Sequence, residues 1–600
     1  MMIQKRFQRP VSAIKQPFAP GKQSNAAFKQ NLMPTKQPVL RYPGHGTAAV
    51  RIIPLGGLEE VGRNMTAFEY GNDIIIIDMG LQFPEEDMPG IDYIIPDISY
   101  FKGKEKNIRG VIITHGHYDH IGAIPHLIRP LGNPPIFATP LTIGIIKKRE
   151  DDYPDHVKLN LHTVTRNDKL DLGRFHIEFF HINHNIPDGI GIAIFTPVGL
   201  IMYTGDFKFD FSPVNDAPAD IGRIAELGKR GVSLLMSDST DAETPGHSVS
   251  EQTIMETLGR VFEKAQGRII AVTFSSLISR IQHIITLAEQ HGRKVALDGY
   301  SLKTNLEIAK QLSYVHVKKG TLIKIQDVNK YPNGQVVVIG TGAQGESNAM
   351  LMRIANHEHR SVNIQKGDTI IFSSSVVPGN ERTVQGLKDT LCRQGAKIIH
   401  YKMMDVHAGG HAYREDLKMM MNLTHPNFFI PIHGNYYMRK VHSELAESTG
   451  IDPQNIIIPD NGSVVELTQK SIHLTKEKVP TDYIMVDGLG VGDVGEIVLR
   501  DRQAMAKDGI FTIIIIVDSK TKKIVGEPDI ISRGFIYMKE STDLLNETKK
   551  KVRDIITIKT QGEGSINWAY VRNNLRDIIG EFLYTKTQRR PLVLPMIIEV

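Results

Sequence analysis

From residue 50 onward, short apolar runs alternate with turns that contain Gly or Asp: 51–54, 67–70, 73–78 and 110–114, then 176–181, 191–196, 200–204 and 233–237. Runs of that length bounded by turn residues predict strands, so residues 50–245 read as a segment that is mostly sheet. After residue 245 the rhythm changes. Ser248 and Glu251 have the S-x-x-E spacing of a helix start ahead of Ile254, Leu258, Val261 and Phe262, with Gly267 as the stop. A strand at 268–274, a helix with Ile281, Ile284, Ile285 and Ala288 on one face, a strand at 294–297 and a helix to Leu312 follow. The alternation resumes at 336–340, 369–373, 382–392 and 397–401. Strand and helix in turn predict a parallel sheet covered on both faces, a second, α/β domain over 246–400.

Short strands return at 428–432, 456–459 and 463–467, like those of the first segment, so residues 401–468 are grouped with it. Residues 469–480 read as a linker. Residues 481–600 read as a small C-terminal α/β domain with a strand at 511–517, a helix carrying Val571, Leu575, Ile578, Ile579, Phe582 and Leu583, and a last strand at 592–600. The longest apolar runs fall well short of the ~18 residues of a membrane helix, and no secretory signal is expected, so a cytoplasmic protein without membrane contact is the expectation.

Charge separates one further segment. Residues 1–49 hold eight of the 71 Lys and Arg and none of the 66 Asp and Glu, so the remainder carries 63 cations against 66 carboxylates. The segment is rich in Gln and Pro, lacks amphipathic period and reads as a disordered basic tail, either an electrostatic arm for a polyanion such as RNA or a solvated end. The single cysteine, Cys392, excludes an intramolecular disulfide and cysteine-based zinc or iron–sulfur sites.

The strongest chemical signal is His115-Gly116-His117-Tyr118-Asp119-His120, directly after the strand at 110–114. Three imidazoles and a carboxylate at a strand end suit a divalent ion such as zinc or manganese, and without an ion all four would need other burial partners. Four more predicted strands lead into Asp78, His184, Asp206 and His433. Strand ends gather on one rim of a sheet, so these residues read as one multi-ligand site.

HGHYDH, Asp78-Met79-Gly80, His184 and Thr204-Gly205-Asp206 resemble the ordered motifs of the metallo-β-lactamase superfamily. The α/β insertion, followed by His407-Ala408-Gly409-Gly410-His411 and Pro431-Ile432-His433-Gly434, resembles its nucleic-acid-processing β-CASP branch. LGGLEEVG at 55–62, SDST at 237–240, GTGAQGE at 340–346, SSSVVPGNE at 373–381 and VDGLGVGDVGEIVLRDR at 486–502 narrow the resemblance to the ribonuclease J family.

That resemblance implies an α/β fold: a metallo-β-lactamase αββα sandwich interrupted by a β-CASP domain and followed by a small C-terminal domain. It implies two divalent ions, zinc or else manganese, with His115, His117 and His184 on one, Asp119, His120 and His433 on the other, Asp206 bridging, and Asp78 orienting a ligand or water from behind. Hydroxide would attack phosphorus and His411, oriented by Asp238, would protonate the departing 3′ oxygen, leaving a 5′-phosphate. Ser373, Ser374, Ser375, Thr341, Gln344 and Gly409 would contact substrate; Gly409 stands where the family usually carries Ser, and Asn435 where it usually carries Glu. The implied function is a metal-dependent ribonuclease that degrades or matures single-stranded RNA, a 5′-to-3′ exonuclease with endonuclease activity, assembled as a homodimer or homotetramer and working beside other RNA-degradation proteins. The alternatives are a hydrolase of small molecules, a non-catalytic RNA-binding scaffold and a DNA-processing β-CASP nuclease.

If the tail is an electrostatic arm, removing residues 1–49 weakens binding to single-stranded RNA at low salt and flattens the plot of log affinity against log salt, each lost phosphate contact taking ~0.7 from the slope. Filter binding across a salt series measures both.

Overall fold

The computed structural model describes residues 49–600 except 86, 154–156, 215, 378, 538–539 and 561–565. The basic segment 1–48, with the expectation attached to it, lies outside the described residues.

Two sheets face each other. The eight-stranded sheet has the order Ile472–Lys478, Ser463–Leu467, Val50–Gly56, Met65–Tyr70, Asp73–Ile77, Ile108–Ile112, Ile136–Ala138 and Leu161–Thr163. The six-stranded sheet has the order Phe428–Ile432, Val232–Asp238, Gly199–Tyr203, Ile190–Thr196, Phe175–His181 and Lys169–Leu172. Ile52, Phe68, Ile75 and Ile112 of the first sheet share one core with Phe179, Ile192, Ile201 and Leu234 of the second. Ile53, Ile74, Ile76 and Val111 face the opposite way, into a core with helix Pro140–Asp151. On the far face of the second sheet, Phe180, Met202 and Leu235 meet helices Ile221–Lys229, Arg414–Thr424 and Tyr436–Ser448. Sheets covered on both faces need near-continuous apolar strands, which is the pattern the sequence shows. The result is an αββα sandwich.

Between the two parts of the sandwich lies a six-stranded, all-parallel sheet with the order Leu322–Ile323, Lys294–Leu297, Val336–Gly340, Ile269–Val272, Thr369–Phe372 and Lys397–His400. Helices Glu251–Lys264, Ile278–Gln290 and Tyr300–Gln311 cover one face, and Met350–Ala355 and Glu381–Arg393 the other. Arg268 and Asp368, each just ahead of one of two neighbouring strands, form a buried pair with contacts of 3.1 and 2.7 Å. The C-terminal strands Asp529–Arg533, Ile510–Val517 and Leu592–Glu599 pack one face on helices Thr542–Lys559 and Trp568–Thr587. No described helix is long and apolar enough to cross a membrane.

Several boundaries differ from the sequence expectation. The helix expected to start with a Ser248/Glu251 box is capped by Ser250, whose Oγ accepts from the Gln252 N–H at 3.2 Å. Ser248 Oγ instead donates to Asp416 and to the His411 carbonyl. Glu251 turns inward onto Lys208 and Arg280, because a carboxylate between two buried cations is worth more than an exposed cap. The helix ends at Lys264, ahead of Gly267. Residues 456–459 form no strand; Ile456 makes a single bridge to Phe429. The expected linker 469–480 contains the strand Ile472–Lys478, which pairs antiparallel with Ser463–Leu467 and covers what would otherwise be an open sheet edge. Ile484–Asp487, expected in the C-terminal domain, pairs with Tyr93–Ile95 of the first segment.

Asp368→Ala leaves the Arg268 guanidinium buried without its carboxylate, which costs about 3–5 kcal/mol. The expected result is a lower unfolding midpoint in urea, with a smaller loss for a surface control such as Asp171→Ala.

Candidate metal centre

Strands of both sheets end on one rim of the sandwich. Asp78 and His433 directly follow Asp73–Ile77 and Phe428–Ile432; His115, His184 and Asp206 stand three positions beyond Ile108–Ile112, Phe175–His181 and Gly199–Tyr203; and Asp238 closes Val232–Asp238. Asp78 and His433 have φ of 61° and 59°, a left-handed backbone that costs a non-glycine residue of order 1 kcal/mol or more and turns the chain sharply at the site. The Asp78-Met79-Gly80 turn runs against HGHYDH, with Met79 N and Leu81 N donating to the His120 and Tyr118 carbonyls at 2.7 and 3.0 Å. A Cβ at Gly80 would lie 1.6 Å from the Asp119 carbonyl oxygen, so only glycine permits the approach.

His117 Nδ1 lies 3.0 Å from His115 Nε2 and 3.2 Å from His184 Nε2. Donors that share one ion at ~2.0–2.1 Å are about 3–3.5 Å apart, so the spacing fits a common cation. His184 Nδ1 donates to the Gly410 carbonyl at 2.7 Å, which leaves Nε2 as the lone-pair donor. A Cβ at Gly410 would sit 2.3 Å from the His184 ring, so this glycine too is required by close approach.

His120 Nδ1 donates to Asp78 Oδ2 at 2.8 Å, and Asp78 also accepts from the Thr114 N–H at 2.8 Å and its hydroxyl at 3.0 Å. His120 Nε2 therefore faces Asp206 Oδ2 at 3.3 Å and Asp119 Oδ2 at 3.5 Å. The other oxygen, Asp206 Oδ1, faces His433 Nδ1 at 2.6 Å, yet both atoms are buried and out of hydrogen-bond alignment. Two facing, unbonded donor atoms beside His120 are what a cation would complete. Asp206 Oδ2 also lies 3.9 and 3.8 Å from His115 Nε2 and His184 Nε2, so this one carboxylate stands between both sets.

Among the described residues, ligand atoms close within 4.8 Å in four groups: His115, His117 and His184; His115, His120 and Asp206; His184, Asp206 and His411; and Asp206, Asp238 and His433. Asp119 belongs to none of them; its side chain is one-third exposed and approaches His120. Burial pushes His115 well below the ordinary imidazole range, and holds His117 at about 4 and His184 at about 3, so that all three are neutral near pH 7, as a metal-binding imidazole must be. Against the same burial, Asp206, Asp119 and Asp78 raise His120 well above its ordinary value. Asp206 is held well below the carboxylate range, against burial, by His120 and His433. His411 Nδ1 meets Asp238 Oδ2 at 2.8 Å, and Asp238, with Asp206 and Asp241, lifts it against burial to about 10. The Thr240 N–H and hydroxyl hold the other Asp238 oxygen.

Four family matches run along the chain in the order of these layers. Residues 58–258 match the metallo-beta-lactamase superfamily, 266–391 the ribonuclease J beta-CASP domain, 399–459 the Zn-dependent metallo-hydrolase RNA specificity domain, and 497–600 the ribonuclease J C-terminal domain. Ribonuclease J2 of Bacillus subtilis is 39% identical over 92% of this chain and 99% of its own length. The chain belongs to the ribonuclease J family. Ribonuclease J 1 of Streptococcus pyogenes, 42% identical over 92% of this chain and 97% of its own, and ribonuclease J 2 of Staphylococcus aureus, 39% identical over 92% and 98%, agree. The resemblance read from the sequence is thereby shown, as is the fold it implied: a metallo-β-lactamase sandwich with a β-CASP insertion and a ribonuclease J C-terminal domain. The fold and its His/Asp groups make this ribonuclease J family chain a binder of divalent metal.

The loops expected to contact substrate divide. Ser373 is fully buried, its Oγ donating to the Val406 carbonyl at 2.7 Å and accepting from Arg280 at 2.7 Å, so its hydroxyl is engaged within the protein. Gln344 also turns to the protein, stapling two loops through the Ser375 carbonyl and the Val377 N–H. Both had looked available because small or amide side chains in glycine-rich loops serve backbone and ligand alike. Ser374 lines a cavity of about 210 Å³ with Lys388, His400 and Lys402. Ser375 is exposed and Thr341 half-buried. Gly409 is half-buried, and a Cβ there would lie 3.1 Å from Asp241 Oδ2, a tight contact that needs the carboxylate to give way slightly.

Reading the sequence passed over Thr114 and Asn64, whose amide lies 3.1 Å from His120 Nε2, and over Arg280. Thr114 was discoverable as the hydroxyl residue that ends the strand before HGHYDH, and Arg280 as a cation among Ile278, Ile281 and Ile284.

Asp78→Ala frees the His120 ring and lowers metal affinity ~10–100-fold. Metal content after dialysis against a competing chelator is expected to fall well below that of the parent.

Proposed function

We propose that this ribonuclease J family chain is a metal-dependent ribonuclease acting on single-stranded RNA, a 5′-to-3′ exonuclease with endonuclease activity. The observation that carries the reading is Asp206 standing between two groups of imidazoles, with the His411–Asp238 pair at 2.8 Å beside them. We assign His115, His117 and His184 to one ion, His120, His433 and Asp119 to the other, and Asp206 to both. A ligand set of imidazole and carboxylate without cysteine favours zinc, with manganese as the alternative. When bound, such ions supply Lewis acidity, which activates water and neutralises phosphate charge.

The protein's own groups do the rest. Asp78 fixes the His120 tautomer and the Gly410 carbonyl fixes that of His184. Asp238 holds His411 by Nδ1, so its Nε2 carries the proton given to the departing 3′ oxygen, and Asp238 steadies the charge before transfer. Cleavage on that side leaves a 5′-phosphate on the product. Ser374, Ser375, Thr341 and Gly409 remain the candidate substrate contacts. Domain limits of 50–245 with 401–468 for the sandwich and 246–400 for the insertion fit this reading.

The assembly reading, a homodimer or homotetramer, is supported by the C-terminal sheet: opposite its helix-covered face it exposes Ile516, Ile531, Leu594, Met596 and Ile598. A reducing, cytoplasmic setting accords with the single cysteine. A scaffold without catalysis fits less well, since such a protein needs neither His411 nor the paired ligand sets.

A time course on end-labelled RNA bearing a 5′-monophosphate tests the reading. Release of nucleotides from the 5′ end is expected with zinc or manganese, none with chelator and none with Asp206→Ala. His411→Ala is expected to keep its metal and to lose about 10²–10⁴-fold in kcat. Cleavage of DNA of the same sequence at an equal rate, or no RNA cleavage by protein holding both metals, would overturn it.

A further inference from the structure

His411 and the loop at 373–377 lie on segments without regular secondary structure, so something other than a sheet or helix must hold them in register with the metal ligands. The groups that do so converge on Arg280, in helix Ile278–Gln290 of the insertion. Its side chain is 3% exposed. One terminal nitrogen donates to Ser373 Oγ at 2.7 Å and to the Val406 carbonyl at 2.8 Å, and Ser373 Oγ itself donates to that same carbonyl at 2.7 Å. The other terminal nitrogen donates to both oxygens of Glu251 at 3.2 and 2.9 Å. The Nε has no partner, so the binding is wholly through the fork.

Glu251 carries the connection into the sandwich. Its carboxylate meets Lys208 Nζ at 3.3 Å and its N–H donates to Asp210 at 2.8 Å, and Lys208 is two residues beyond Asp206. On the other side, Val406 opens the stretch that leads to Gly410, whose carbonyl holds His184, and to His411, held by Asp238. The 406–411 loop is thus pinned at its far end by the metal site and at its near end by Arg280. A planar guanidinium that holds one terminal nitrogen on a carboxylate and the other, at a fixed separation, on an oxygen cluster is a geometry that the single ammonium of lysine cannot reproduce.

We infer that Arg280 is a positioning residue: its guanidinium locks the 373–377 loop and the His411 loop to each other and, through Glu251 and Lys208, to the turn that carries Asp206. For its kinetic part this rests on the ribonuclease reading above. The structural part does not, since loop order is measured without turnover.

Arg280→Lys in the full-length protein keeps a cation opposite Glu251 and removes the fork. Metal content and far-ultraviolet circular dichroism should match the parent, while amide hydrogen exchange accelerates at 404–411 and 373–377 and not in the sandwich strands. On RNA, kcat should fall about 10–100-fold with a smaller change in KM, the size expected when a reacting group is misplaced by about 1 Å. In a His411→Ala background the same substitution should cost little more, because both changes disable one device; a merely structural role would give additive losses. Ser373→Ala, which removes one donor and no charge, should loosen the same two loops to a lesser degree and stands in if Arg280→Lys does not fold. Unchanged exchange in both loops, or full additivity with His411→Ala, would overturn the inference. If the parent protein does not cleave RNA, the ribonuclease reading fails and the exchange result still decides the role of Arg280.

Discussion

A carboxylate buried among imidazoles is unstable unless its charge is answered, and the Asp206 side chain is the place where this protein concentrates that demand. One oxygen lies 3.3 Å from His120 and within 4 Å of His115 and His184; the other lies 2.6 Å from His433. Four histidines, three beyond separate strand ends and one in the short helix Tyr118–Ile121, can meet a single carboxylate only if two sheets are stacked with their strand ends level. The sandwich, with its core of Ile, Val and Phe between the sheets, supplies that alignment. Local conformations that would be unfavourable elsewhere, such as the left-handed backbone at Asp78 and His433, persist because the surrounding packing over-determines them.

The insertion contributes a different kind of order. Its parallel sheet is regular, but what it delivers to the rim is loops, and these are held by polar networks instead of by sheet. Gln344 staples its own loop to the one at 373–377, and Arg280 joins that same loop to the His411 loop. Strand ends present the proposed ligands and cross-braced loops the groups that would act on substrate, and the two meet at Gly410, whose carbonyl holds His184.

The grouping of His and Asp residues on the rim was legible in the sequence because most of them follow the end of an apolar run, and the position of a strand end is fixed by hydrophobic pattern alone. The two sheets of the sandwich and the alternation of the insertion were legible for the same reason. What escaped was whatever depends on a partner far along the chain. The internal bonds of Ser373 and Gln344 escaped because nothing local shows that Val406, Arg280 and the Ser375 carbonyl engage them. Glu251 looked like a capping residue because Lys208 and Arg280 are distant in sequence. The strand Ile472–Lys478 looked like a linker because its burial pattern is that of an edge, with only its first residue fully buried. Membership of the ribonuclease J family was visible in short motifs, and could be read only because they occur in order.

The way the sandwich is interrupted also dictates when it can be completed as the chain emerges from the ribosome. Tyr203 and His433, which are hydrogen-bonded in the finished site, are 230 positions apart. Strand Phe428–Ile432 pairs with Val232–Asp238, and Ser463–Leu467 with Val50–Gly56, so both sheets acquire strands from beyond the insertion. At about 5–20 residues per second, the half-built sandwich waits some tens of seconds for them, with His115, His117, His184 and Asp206 already synthesised. During that interval the first proposed ligand set is already synthesised, though without the Gly410 carbonyl that holds His184, while the second lacks His433. The two proposed ligand sets are therefore unequal in birth order, and the later one is complete only after the whole insertion has been made.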